Sequence, residues 1–266
     1  MSPTRTRLIT TTALATVLIA GCGGSEPTAP ARVGQASGVR APRAAARPTA
    51  PSSATPSKPA ESIAGLSAQQ IIRRTKAAAK AAVSVRARGG MWADDGTPIK
   101  LDVSLARTAS AGTISANGAG VKFLVIGRTA YLQFSDTLWR QIATPKKLAD
   151  VLMQLTRGKW IKVAVTDKSF RDKAVLASKP AFVSAMLDNS GGDRKIGTRT
   201  IGGIACIGLA GEHHTLWVDA TNARPIRLDM PGPSGTESLT FSEYNQIKEP
   251  KAPPAAQVVD GKALGL

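Results

Sequence analysis

From Val83 onward the chain is dominated by a period of two. Val83, Val85 and Ala87 alternate with Ser84, Arg86 and Arg88, and Ile99, Leu101, Val103 and Leu105 alternate with Lys100, Asp102, Ser104 and Ala106. Successive side chains of a strand point to opposite faces, so each run predicts a strand with one apolar face. Asp94-Asp95-Gly96 lies between them and supplies turn chemistry, which accounts for the adjacent carboxylates without a catalytic role. Short strands are expected at about 112–116, 121–126 and 129–134, then at 159–165, 195–200, 204–209, 215–218, 226–230 and 238–244. Their tight spacing makes sequential neighbours antiparallel.

Three stretches depart from this period. Ser67-Ala68-Gln69-Gln70 reads as a capping box, with Leu66 and Ile71 placed as a hydrophobic staple, and predicts a helix to about Ala82 whose apolar stripe is Ile71, Ile72, Thr75 and Ala79. Thr144-Pro145 reads as an N-cap and first-turn proline for a helix through Leu155, with Leu148, Val151, Leu152 and Leu155 on one stripe and Gly158 as its stop. Residues 170–187 are expected to be helical, interrupted at Pro180. The order helix, meander, helices, meander predicts an α+β fold: helices against one face of an antiparallel sheet.

The first residues follow other rules. Arg5 and Arg7 precede an apolar run from Leu8 to Ile19, too short to span a bilayer as a permanent helix. It ends in Ile19-Ala20-Gly21-Cys22, which resembles the lipobox of bacterial lipoproteins. That resemblance implies cleavage before Cys22, a diacylglyceryl thioether on its sulfur and further acylation such as palmitate. The membrane is then a partner through acylated Cys22, and the protein sits lipid-anchored on the extracytoplasmic face of the cell membrane. The competing reading is an ordinary cleaved signal with a chance cysteine.

Gly23 to Ser62 is rich in Ala, Pro, Ser, Thr and Gly, with few large apolar side chains. Such a segment reads as a disordered tether reaching on the order of 35 Å. The expected organisation is a signal peptide at 1–21, a lipidated cysteine and tether at 22–62, and one domain at 63–266, long enough for a substantial core.

Charge narrows the partners. The formal net charge is +17; residues 1–62 carry seven Arg and Lys against two Glu, a net of +5, so residues 63–266 carry +12. A basic domain tethered beside a bilayer is drawn to anionic headgroups within about a Debye length. Surface solvation alone is the other account of this excess. Nucleic acid is excluded by export and by the lack of a basic helix with interleaved aromatics or a zinc-finger spacing.

Catalytic and metal chemistry find little support. His213 and His214 are the only histidines, and adjacency in a strand sends them to opposite faces. Asp188, Asn189, Ser190 and Asp193 have the composition of a calcium loop, but Arg199 stands where the bidentate Glu would be needed, so a turn is expected. With Cys22 acylated, Cys206 has no disulfide partner and reads as a small buried hydrophobe. No nucleophile elbow, P-loop or dinucleotide fingerprint occurs, and neither an enzyme activity nor a cofactor is implied.

Several short motifs in order then carry a resemblance. Trp139-Arg140 follows a Tyr131-Leu132 strand; then come Gly158-Lys159-Trp160-Ile161-Lys162-Val163, Asp219-Ala220-Thr221 leading to Pro225-Ile226-Arg227-Leu228, and Phe241-Ser242-Glu243-Tyr244 with prolines after it. Over roughly 66–260 the chain resembles actinobacterial lipoproteins of the LppX/LprG type. The resemblance implies a LolA-like half-barrel, a curved antiparallel sheet with helices covering its concave face, and an apolar cavity there for a lipid or lipoglycan ligand of the cell envelope. The residues expected to line that face are Leu101, Val103, Leu105, Phe123, Val125, Ile161, Val163, Leu216, Val218, Ile226, Leu228, Leu239 and Phe241. The competing expectation is a LolA-like interaction or sensing module with a packed interior, binding an envelope protein and no lipid cargo.

Overall fold

The computed structural model describes residues 62–167, 174–188 and 194–265. The expected signal peptide, Cys22, nearly all of the tether, and Asn189 to Asp193 of the acidic turn lie outside the described residues.

Ser67 opens helix α1 (Ala68–Ala81) with a reciprocal capping box: its Oγ accepts from Gln70 N at 3.2 Å and Gln70 Oε1 accepts from Ser67 N at 2.9 Å. Ile71, Thr75 and Ala79 form its buried stripe and Ile72 is half-buried. A meander follows: β1 (Val85–Trp92), β2 (Pro98–Leu105), β3 (Ala109–Ala116), β4 (Ala119–Ile126) and β5 (Thr129–Phe134). The turn between β1 and β2 uses Asp95, whose carboxylate accepts from Thr97 N at 2.9 Å, and Gly96 at φ +77°.

The helical segment after β5 differs from expectation. Helix α2 (Asp136–Ile142), capped by Ser135 Oγ accepting from Leu138 N, was not foreseen. Thr144 caps nothing, because α3 (Leu148–Thr156) starts three residues beyond Pro145, which is joined to Thr144 by a cis peptide bond. Gly158 at φ +69° ends this segment as expected, since a left-handed residue past the last turn favours glycine.

β6 (Trp160–Ala164) follows, then a 3₁₀ turn at Ala174–Ala177 and α4 (Lys179–Asp188). Pro180 stands in the first turn of α4 and does not interrupt it, because a proline there lacks only an N–H that has no intrahelical acceptor. A second meander completes the chain: β7 (Arg194–Ile201), β8 (Ile204–Ala210), β9 (Thr215–Asp219), β10 (Pro225–Gly232) and β11 (Gly235–Ser242), with the short β12 (Val258–Asp260) near the end.

All described strands join one open, curved sheet in the order β12-β6-β5-β4-β3-β2-β1-β11-β10-β9-β8-β7. Every pairing is antiparallel except β12 with β6. The two meanders meet where β1 pairs with β11, placing Ala87 opposite Phe241 and Gly89 opposite Leu239. Cross-strand register keeps one face apolar through the middle of the sheet: Val85, Ala87, Leu101, Val103 and Leu105 align with Phe123 and Val125, then with Ala130, Leu132, Ile161 and Val163. These side chains join α1, α2, α3 and α4 residues in one core. A single sheet with one apolar face must cover that face, and here helices do so.

Candidate functional site

The candidate site is this apolar face. Of the thirteen residues expected to line it, twelve belong to the common core: Leu101, Val103, Leu105, Phe123, Val125, Ile161, Val163, Leu216, Val218, Leu228, Leu239 and Phe241. Ile226 is buried but stands outside that core. The reason is a register shift in β10: Pro225 pairs with Val218 and Arg227 with Trp217, so Ile226 is the extra residue of a bulge that alternation cannot anticipate.

Seven of these side chains (Val103, Leu105, Val125, Ile161, Leu216, Val218 and Leu239) are 0% exposed, so no water-sized space adjoins them. α1 contributes Ile71 and Ala79, α4 contributes Phe182, Val183, Met186 and Leu187, and the 3₁₀ turn contributes Val175 and Leu176. In the conformation described, these positions are therefore covered by protein side chains.

A few polar contacts hold this cover in place. Ser110 is buried on β3 and its hydroxyl donates to the Leu176 carbonyl of the 3₁₀ turn. Lys179, 5% exposed, donates from Nζ to the carbonyl oxygens of Ala79 (3.2 Å) and Lys80 (3.0 Å) at the end of α1. Burial pushes the pKa of this ammonium down. Lys76 of α1 also pairs with Asp188 of α4 at 2.9 Å. Ile63 N donates to Ala220 O at 3.1 Å, tying the segment before α1 to the end of β9.

The opposite face of the sheet carries ion pairs. Arg86 grips Asp102 with two nitrogens at 2.7 and 2.8 Å and reaches Glu243 at 2.8 Å. The Arg86 hydrogen bonds hold the Asp102 carboxyl below its ordinary range, and these bonds raise the guanidinium in turn. Asp229 accepts from Arg227, Ser238 and Trp217; burial pushes its carboxyl up, but those bonds outweigh burial and leave it low. In these clusters the arginines and carboxylates offset one another's charge.

Tyr244 donates from its hydroxyl to Pro225 O at 2.5 Å, and burial pushes its pKa up. Cys206 is buried, forms no disulfide among the described residues, and burial raises its thiol pKa. His213 lies exposed beside Glu212 and His214 is half-buried, in the connection between β8 and β9. Among the described residues no three His, Cys, Asp or Glu side chains gather in a way that could hold a metal.

The α2 and α3 segment is the second region of note. The stripe expected to face the core is divided: Leu152 is buried with Ala149, Met153 and Thr156, whereas Leu148, Val151 and Leu155 are exposed, the last two by 49% and 51%. Helical spacing found an apolar stripe but not which flank of it meets the sheet, and Ala149 and Met153 win because α3 packs through them. Beside it, Phe134, Trp139, Met153, Thr156, Arg157 and Lys159 line a cleft of about 230 Å³. Phe134 and Trp139 meet edge to face at 4.9 Å, and the buried Trp139 Nε1–H has no acceptor among the described residues.

No family model and no curated protein matches this chain. Solved structures do. LprF from Mycobacterium bovis is 16% identical over 69% of this chain and 96% of its own, with a TM-score of 0.45. The lipoprotein LppX from Mycobacterium tuberculosis is 18% identical over 69% of this chain and 98% of its own, with a TM-score of 0.40. A LolA superfamily protein from Nitrosomonas europaea is 13% identical over 70% of this chain and 96% of its own, with a TM-score of 0.24.

Proposed function

We propose that this chain is an extracytoplasmic lipoprotein, anchored through acylated Cys22, whose domain binds envelope lipid on the apolar face of its sheet. The observation that carries the reading is the extent of that face: twelve of the thirteen expected residues, drawn from strands β2, β4, β6, β9, β10 and β11, share one core with the helices that cover it. Acyl chains on such a surface would be stabilised by about 25 cal/mol per Å² of apolar area removed from water. Because the face is covered in the conformation described, lipid would enter by displacing the cover that Lys179, Ser110 and Lys76 pin. No step of this function needs a reacting group, and the residues act by shape and burial.

The test is direct. The purified full-length protein is extracted with organic solvent and the extract examined by mass spectrometry. Co-purifying lipid at near-stoichiometric yield is expected; none from protein that melts cooperatively would overturn the carrier reading.

A second reading is favoured by the seven side chains that no water-sized space adjoins. On that reading the interior is a permanent core and the domain is an interaction module for an envelope protein. It predicts an extract without lipid and a partner recovered by cross-linking.

A further inference from the structure

Helix α3 presents to solvent a flank that an ordinary surface helix would make polar. Leu148, Val151 and Leu155 recur at helical spacing on that flank, and Ile142 at the end of α2 is 42% exposed as well. Contiguous exposed apolar side chains mark an interaction surface where single ones do not. The charges around them have one prevailing sign. Arg140, Lys146, Lys147, Arg157 and Lys159 are all exposed within 136–159, against Asp136 and Asp150. Lys146 Nζ donates to the Arg140 and Gln141 carbonyl oxygens at 2.8 and 2.9 Å, which closes α2 and holds that cation beside the start of α3.

Apolar side chains on one flank with lysine and arginine beside them are the pattern of a helix that lies in the interface of an anionic bilayer. α3 has nine residues and, among the described residues, no helix is long and apolar enough to cross a membrane. It can lie along a bilayer but not through it. The cleft of about 230 Å³ past its end is lined by Arg157 and Lys159 with Asp136 beside them, so cations outnumber carboxylates there two to one, which suits a phosphodiester oxygen.

We infer that the exposed flank of α3, with Ile142, is the surface through which this domain docks onto an anionic phospholipid membrane. Leu148, Val151 and Leu155 enter the headgroup boundary and the surrounding lysines and arginines meet lipid phosphates. The inference rests on the reading of the chain as membrane-tethered, and is independent of whether lipid occupies the sheet face.

The test uses the full chain carrying Cys22→Ser, so that no acyl chain contributes, and Val151→Cys labelled with an environment-sensitive fluorophore. Vesicles of phosphatidylcholine alone, and of phosphatidylcholine with phosphatidylglycerol at three to one, are added in turn. A blue-shifted, brighter emission is expected with the anionic vesicles, at roughly tenfold lower lipid concentration than with the neutral ones. Adding Leu155→Asp should raise the lipid needed by about tenfold with an unchanged melting temperature.

Three outcomes overturn the inference: no spectral change with either vesicle, an equal change with both, or a change that follows protein concentration without vesicles and so reports a second copy. The apolar run at residues 8–19 is common to every variant, and the dye reports α3 itself. Solvent extraction reads the sheet face separately, so docking and cargo can fail independently.

Discussion

Lys179 of α4 donates from Nζ to the carbonyl oxygen of Lys80 at 3.0 Å, and so closes the end of a helix 99 residues earlier in the chain. The same ammonium serves Ala79 O at 3.2 Å. The last carbonyls of a helix have no partner within it, and here a buried side chain from the next layer supplies one. The contact binds the two helices into one cover over the sheet.

Replacing Lys179 with Met should destabilise the domain by about 1–2 kcal/mol, the cost of one buried and one partly buried carbonyl left without donors less the relief of a desolvated charge. Urea denaturation at neutral pH measures it. Because the folded pKa lies below 10.5, the folded state binds this proton less tightly than the unfolded chain, and the group's contribution to stability rises as pH climbs from the folded pKa to 10.5. The gap between wild type and Lys179→Met should therefore widen on the alkaline side; a gap that closes there contradicts the assignment.

Neighbouring glycines on β1 should behave differently. Gly89 has φ +144° and an added Cβ would stand 1.9 Å from the Ser238 carbonyl oxygen, which belongs to the backbone of the paired strand. Gly89→Ala should cost about 2–3 kcal/mol or more. At Gly90 the nearest atoms to an added Cβ are the ends of Glu237 and Lys100, an ion pair at 2.6 Å that can swing aside. Gly90→Ala should cost less than about 1 kcal/mol. Equal melting temperatures for the two variants would show that the backbone approach at Gly89 is not the constraint.

Val103 stands between Ala87 and Gly112 in register and is 0% exposed. Val103→Trp should destabilise the lipid-free domain by about 1–3 kcal/mol, since a filled face has no room for an indole. Chemical denaturation of lipid-free protein measures this. A change under about 0.5 kcal/mol would reveal space behind the cover.

Asp102 should set part of the acid sensitivity. Its folded pKa is depressed by Arg86, so its contribution is present above the ordinary value of 3.8 and is lost as pH falls through the folded pKa. Asp102→Asn should lower stability at pH 6 by about 0.5–1 kcal/mol, discounted because the pair is about a third exposed. The difference in melting temperature from wild type should shrink below pH 3.8, and a constant offset down to the acid limit would exclude the ionic account.

Cys22→Ala should abolish labelling by radioactive palmitate and release the protein from the membrane fraction. Label retained by the variant would place the acyl chain on another residue.

Much of this molecule is legible in its amino acids, and the rest is not, for a physical reason. The capping box at Ser67 and Gln70, the Asp95-Gly96 turn, the stop at Gly158 and the alternation of Leu101, Val103 and Leu105 are local: each follows from contacts within a few residues. The α+β class follows from them, because a sheet with one apolar face needs a cover. What lies across long stretches of chain was not legible. The bulge that takes Ile226 out of the common core, the parallel docking of β12 on β6, the reach of Lys179 to α1 and the flank of α3 that faces water are all settled by layers meeting in space. Periodicity says that a helix has an apolar stripe; only the position of the sheet says which side of that stripe it buries. For α3 that difference separates a core helix from a surface that meets a membrane.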